Sequence, residues 1–161
     1  MKDFVVGNTA KGKGVFVSRR FGKGEFIVKF NGKVYHRNDN PAGLDEDDNH
    51  YLQIGKDTFI GPSDTIDDMI NHSCSPNSGL KVGKDVLLFA IKNIQKGEEI
   101  TYDYSTVQDD GWKMKCLCKK RNCRKVVRDF QHLPARIQKK YIKLGIVPDY
   151  IVKSREKGKV L

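Results

Sequence analysis

Four cysteines carry the most legible chemistry in this sequence: Cys74, Cys116, Cys118 and Cys123. Three fall in one short segment, Cys-Leu-Cys-Lys-Lys-Arg-Asn-Cys, and the fourth lies well upstream. The opening Met-Lys-Asp-Phe-Val-Val-Gly is too short in its apolar part for a secretory signal. A reducing compartment is therefore expected, where stable disulfides are uncommon. Four thiolates satisfy tetrahedral zinc and close the site, leaving no position open for catalysis. Lys119, Lys120 and Arg121 lie between the ligands and favour thiolate over thiol. Structural zinc is the preferred reading, with free or disulfide-bonded cysteines as the alternative.

Other reactive residue types are ambiguous taken singly. Tyr104 alone reads as a core tyrosine with a satisfied hydroxyl. His72 alone reads as a structural histidine. Gly12-Lys13-Gly14 alone marks a turn, and the spacing of a dinucleotide-binding Gly-x-Gly-x-x-Gly site fails.

The elements that must hold these residues are short. Val15–Val17, Phe26–Val28, Tyr51–Ile54, Thr58–Ile60, Val86–Ile91 and Glu99–Tyr104 read as strands, punctuated by glycines. Residues 37–49 are polar and acidic and read as a surface loop or short irregular helix. Thr65–Ile70 reads as one helical turn capped by Asp64. The polar stretch 106–115 reads as a mobile linker. Residues 134–144 fit a helix, with Pro134 near its start, Gly145 ending it, and Ile137, Tyr141 and Leu144 on one face. The last eight residues are expected to fray. The chain is thus expected to be α+β and β-rich.

The 161 residues suit one domain, with 38% hydrophobic and 31% charged residues. No apolar run approaches the roughly 18 residues of a membrane span. Residues 1–112 hold 14 Lys/Arg against 17 Asp/Glu, whereas 113–161 hold 16 against 3. A near-neutral body with a basic C-terminal third implies a nucleic-acid or other polyanion contact, with a solvated Lys-rich surface as the alternative.

Four segments, in order, resemble the SET-domain protein lysine methyltransferases. They are Lys11–Val15 with Gly22–Glu25, then Phe30-Asn31-Gly32, then Asn71–Asn77, then Gly97–Tyr104. The cysteine cluster looks like that family's post-SET segment, and 133–150 is similar to the tail of small microbial members. The resemblance implies a SET fold of short curved sheets over 4–105, with a pseudoknot that brings the third and fourth segments together. It further implies a post-SET zinc segment over 106–128 and a C-terminal helical extension over 129–153. Cys74, Cys116, Cys118 and Cys123 would share the zinc.

The activity so implied is methyl transfer from S-adenosylmethionine to a lysine amine. A free lysine is almost wholly protonated at pH 7. An apolar channel and a nearby sulfonium depress its pKa, and the channel aligns the amine. Tyr104 matches the catalytic tyrosine. Tyr102 matches the phenylalanine/tyrosine switch position, which implies mono- or at most dimethylation. Lys13, Gly14, Val15, Asn71, His72, Tyr104 and Trp112 match the S-adenosylmethionine contacts. Trp112 could equally anchor the zinc segment. The acidic stretch Asp39–Asp48 would attract a basic, histone-like substrate. The expected setting is intracellular, cytoplasmic or chromatin- or nucleoid-associated, with a secreted effector left open. Departures include Phe30 in place of tyrosine, Asp68-Met69-Ile70 before Asn71 without the common Arg-Phe pairing, and Arg124-Lys125 without the glycine often found there. A catalytically silent SET-like module binding nucleic acid or a basic protein is the competing reading.

Overall fold

Short β-branched and aromatic runs separated by glycine turns pair into small sheets rather than one large one. The computed structural model describes residues 3–39 and 50–157, with side chains as far as Arg155. The strands are β1 (Phe4–Thr9), β2 (Gly12–Val17), β3 (Phe26–Phe30), β4 (Lys33–His36), β5 (Leu52–Gln53), β6 (Thr58–Gly61), β7 (Asn71–His72), β8 (Ser78–Val82), β9 (Val86–Ala90), β10 (Thr101–Tyr102), β11 (Met114–Lys115) and β12 (Val126–Val127). Among the described residues, two α-helices, α1 (Ala135–Lys143) and α2 (Asp149–Lys157), follow the strands.

β1 and β2 form a hairpin. β3, β9 and β8 form one three-stranded antiparallel sheet, and β4, β6 and β5 another. Alternation along β9 sends Val86, Leu88 and Ala90 inward. They join Val15, Phe21, Leu80, Ile94 and Ile100 in the main core. Burying each of the larger aliphatic side chains stabilises the fold by about 1.5–3 kcal/mol.

The pairing that matters for function is parallel. Thr101 lies against Asn71 and Tyr102 against His72. Asn77 locks this register from the side: its backbone amide donates to Thr101 O, its side-chain amide to Glu99 O, and its Oδ1 accepts from the Thr101 amide. The third and fourth sequence segments are thereby adjacent, as a SET fold requires.

A second hydrophobic cluster, around Phe130, Leu133, Tyr141, Ile146 and Ile151, holds α1 and α2 together. It docks on β8 where Gly79 has no side chain: a Cβ there would lie 2.6 Å from Ile146 Cγ2. A third cluster gathers Cys74, Cys116 and Val127, with Trp112 and Met114 packed against them.

Several sequence expectations change. The stretch 106–115 is not a free linker at its start, because Thr106, Val107 and Gln108 are buried. Asp64 does not cap the turn over Ile66–Met69; the Asp68 carboxylate instead accepts from the Ser63 and Asp64 amides at 2.8 and 2.7 Å. Residues 154–157 continue α2 instead of fraying. Residues 37–39 form a short 3-10 turn, and the acidic stretch beyond Asp39 lies outside the described residues.

Candidate active site

Asn71 and His72 leave the core side by side on β7, and Tyr102 and Tyr104 leave it from and just beyond β10. The Asn71 side-chain amide donates to Lys13 O at 2.8 Å and to Glu99 Oε1 at 2.9 Å, tying the first segment to the third and fourth. Gly14 is required by this clamp, since a Cβ there would meet Thr9, Glu99 and Asn71 side-chain atoms within 3.0 Å. Lys11 reaches across the same seam, its Nζ 3.2 Å from both His72 O and Glu99 Oε1.

Tyr104 is held at both ends. Its backbone amide donates to His72 Nδ1 at 3.2 Å, and its hydroxyl donates to Ile70 O at 2.9 Å. Burial pushes its phenol well above the usual range, so it stays neutral. Tyr102 behaves likewise, chiefly through burial, and packs 4.7 Å from the Tyr104 ring and edge-on to Phe30. Burial lowers His72 to about 4, overriding the attraction of nearby Asp103. The 3.6 Å approach of His72 to Asp103 is therefore no ion pair. His72 is neutral, with Nδ1 as acceptor and Nε2–H directed at Cys74 Sγ, 3.3 Å away.

Two cavities meet at Tyr104. The wider, about 660 Å³, is walled by Lys11, Lys13, Asn71, His72, Met114 and Leu117 among others. The narrower, about 80 Å³, is walled by Phe30, Tyr51, Phe59, Ile70, Tyr102 and Gln108 among others. Tyr104, Trp112, His50 and Asp68 belong to both. The wider space falls in the range of small-molecule sites. Phe30 therefore borders the narrow cavity and not the wide one. Of the expected cofactor contacts, Lys13, Asn71, His72, Tyr104 and Trp112 come together there. Val15 faces the core with no exposed surface, and Gly14 packs behind Asn71. Lys11, His50, Asp68, Met69, Met114 and Leu117 were not anticipated as site residues. Lys11 lies in the first resemblance segment, Asp68 and Met69 directly precede the third, and Met114 and Leu117 lie beside the cysteines; those positions are the signal that could have found them.

The cysteine sulfurs converge behind this wall. Cys74 and Cys116 Sγ lie 3.7 Å apart. A tetrahedral thiolate site with bonds of about 2.3 Å has sulfurs about 3.8 Å apart, and a disulfide needs about 2.05 Å. The cysteines are free, and the Cys123 thiol donates to Cys116 O at 4.0 Å. Of the four cysteines expected to share a metal, Cys74, Cys116 and Cys118 offer ligand atoms within 4.8 Å of one another together with His72, while Cys123 is not in this group; the cluster can hold a metal ion. With His72 Nδ1 already accepting, its Nε2–H is better placed to support the Cys74 sulfur than to ligate. Without a cation, burial pushes Cys74 up to about 11 and Cys116 higher still. Amides of Cys74 and Lys120 outweigh burial at Cys118 and hold it near about 7.

Asp103, between the two tyrosines and 1% exposed, links three parts of the chain. It takes two hydrogen bonds from Arg124, at 2.7 and 2.8 Å, and one from Tyr141 at 3.2 Å. The segment after Cys123 and helix α1 thus converge on the backbone that carries Tyr102 and Tyr104.

Residues 12–105 match the SET domain family. The chain is 35% identical over 141 residues, 76% of its length, to a variant-silencing SET domain-containing protein of Plasmodium falciparum, covering 6% of that protein. It is 33% identical over 136 residues to a probable histone-lysine N-methyltransferase, set-23, of Caenorhabditis elegans, covering 72% of this chain and 55% of that one. It is 32% identical to the H3 lysine-36-specific histone-lysine N-methyltransferase of Saccharomyces cerevisiae, covering 70% of this chain and 17% of that protein. The chain thus spans little more than half, and often far less, of these relatives. Among solved structures, KRYPTONITE in complex with mCHG DNA and SAH superposes with a TM-score of 0.64 at 26% identity, covering 77% of this chain and 28% of that one.

Proposed function

The chain belongs to the SET-domain family, and on that premise we propose that it transfers a methyl group from S-adenosylmethionine to a lysine of a basic, histone-like protein. The observation that carries this reading is the meeting of a wide and a narrow cavity at Tyr104. S-adenosylmethionine supplies an electrophilic methyl on a sulfonium. Lys13, Asn71, His72 and Trp112 shape the wide cavity that suits this donor. Tyr102, Phe30 and Phe59 give the narrow cavity aromatic walls that fit an extended lysine side chain.

Such walls disfavour the ammonium form of the incoming lysine. The Tyr104 hydroxyl donates its hydrogen bond to Ile70 O, which leaves its oxygen lone pairs available at the junction. They orient the amine and stabilise the methyl in flight. Tyr102 narrows the acceptor side and restricts the product to mono- or dimethyllysine. Asp67 and Asp68 border the same narrow cavity and attract the lysine while it is still a cation, before the aromatic walls favour loss of its proton.

Cys74, Cys116, Cys118 and Cys123 would hold a structural zinc, fastening the wall that carries Trp112, Met114 and Leu117. In this reading 4–105 is the catalytic body, 106–128 the zinc segment and 129–153 a bracing extension. The substrate names of the relatives, histones above all, support a chromatin-associated role.

Transfer of label from radiolabelled S-adenosylmethionine to core histones or a lysate tests the proposal. Tyr104→Phe is expected to lower transfer about 10²–10³-fold, the scale for losing one transition-state contact, while donor binding by calorimetry survives. Wild-type protein that neither binds donor nor transfers label overturns the reading.

A further inference from the structure

Helix α1 shows an unusual division of charge. Arg136, Lys139, Lys140 and Lys143 are all exposed, and their i, i+3, i+4, i+7 spacing puts them on one face. The opposite side carries Tyr141 and Gln138, both buried, with Tyr141 in the C-terminal cluster. The helix contains no acidic residue. Among the described residues, none of the four cations has an ion-pair or hydrogen-bond partner, whereas Arg19, Lys29 and Arg37 of the body each meet a carboxylate.

Like charges at these spacings weaken a helix by about 0.2–0.5 kcal/mol per pair. Here the buried face holds the helix in place regardless. Tyr141 reaches Asp103, and the Gln138 side chain donates to Gln131 O and Leu133 O. The result is a rigid row of four unneutralised cations about 10 Å long. Double-stranded nucleic acid carries one phosphate charge per about 1.7 Å of axis, so the row spans several phosphates. A membrane surface fits less well, because interfacial helices insert an apolar face and the apolar face of α1 is spent on its own core.

We propose that the outward face of α1 docks the sugar–phosphate backbone of a polynucleotide. The contact reads charge spacing before base sequence, since a row of one arginine and three lysines along a single helix face matches the repeat of backbone phosphates. It is independent of the methyltransferase reading.

Fluorescence anisotropy with a labelled 20-base-pair DNA duplex and an RNA duplex of the same length tests this between 50 and 200 mM salt. Four phosphates neutralised by α1 contribute a slope of about −3.6 to log K against log salt, roughly a hundredfold across that range. Arg136→Gln, Lys139→Gln, Lys140→Gln and Lys143→Gln, combined, are expected to remove that part of the slope while melting temperature does not fall and donor binding stays unchanged. A control removing the same charge from the body, with Lys23, Lys56, Lys84 and Lys96 all changed to Gln, is expected to leave most of the slope in place. The DNA and RNA arms decide which polynucleotide binds better. Equal losses in both combined variants, no binding to either duplex at 50 mM salt, or binding confined to phosphatidylserine vesicles or an acidic peptide would each overturn the proposal.

Discussion

Tyr102 and Tyr104 differ by two positions yet face different tasks. Tyr104 is anchored by its amide and hydroxyl at the junction of the two cavities, whereas Tyr102 borders only the narrow one. Tyr102→Phe should enlarge the acceptor side by one hydroxyl. Mass spectrometry of a methylated substrate peptide is expected to show a higher share of di- and trimethyllysine; an unchanged distribution would contradict the assignment of Tyr102. Lys125 carries a different residue-scale signature. Its φ of 66° lies in the left-handed region that favours glycine. Lys125→Gly should relieve that conformation and raise stability by about 1 kcal/mol, which chemical denaturation can measure.

The cysteine-bearing segment and the C-terminal helices are braces for the same short stretch of backbone. Arg124 and Tyr141 both bind Asp103. From α2 the Tyr150 hydroxyl donates to the carbonyls of Gln53 and Val107, beside the narrow cavity. Tyr141→Phe removes one buried hydrogen bond without opening a large cavity, and should cost about 1 kcal/mol. For a chain of this length that is about a 2–4 °C fall in melting temperature. Metal removal acts on the other brace. A strong chelator should release zinc, measurable by elemental analysis, and lower the melting temperature. Donor binding should fall with it, because Met114 and Leu117 flank Cys116 and wall the wide cavity. Zinc loss with donor affinity intact would separate the metal from the site.

For the molecule as a whole, alkaline pH probes how much hydroxyl surface the fold hides. Burial raises the phenols of Tyr102, Tyr104, Tyr141 and Tyr150 above the ordinary value near 10. Above pH 10 the unfolded chain loses these protons while the folded chain keeps them. The unfolded state then binds fewer protons, so stability falls as pH rises, by up to about 1.4 kcal/mol per pH unit for each tyrosine. Below pH 9 these groups contribute no slope. Melting curves from pH 8 to 11 should therefore be flat and then drop, and Tyr141→Phe should make the drop shallower by one proton.

What the sequence determined is local and chemical. The Asn71–Asn77 string, the Gly97–Tyr104 string and the cysteine spacing name the family. The alternation along Val86–Ala90 and the helical face containing Tyr141 set their own elements, because side-chain period is encoded residue by residue. Strands β1, β4 and β8 and helix α2 were not legible, since their sequences carry glycine, lysine or mixed patterns that acquire structure only against a partner. Tertiary structure alone decided that Asn71 clamps Lys13 to Glu99, that Asp103 receives Arg124 and Tyr141, and that Lys11, Met114 and Leu117 share a cavity with His72. Each of these contacts joins residues far apart in the chain. Their energies depend on burial and close approach, quantities that no single stretch of sequence contains until the parallel pairing of β7 and β10 has brought the stretches together.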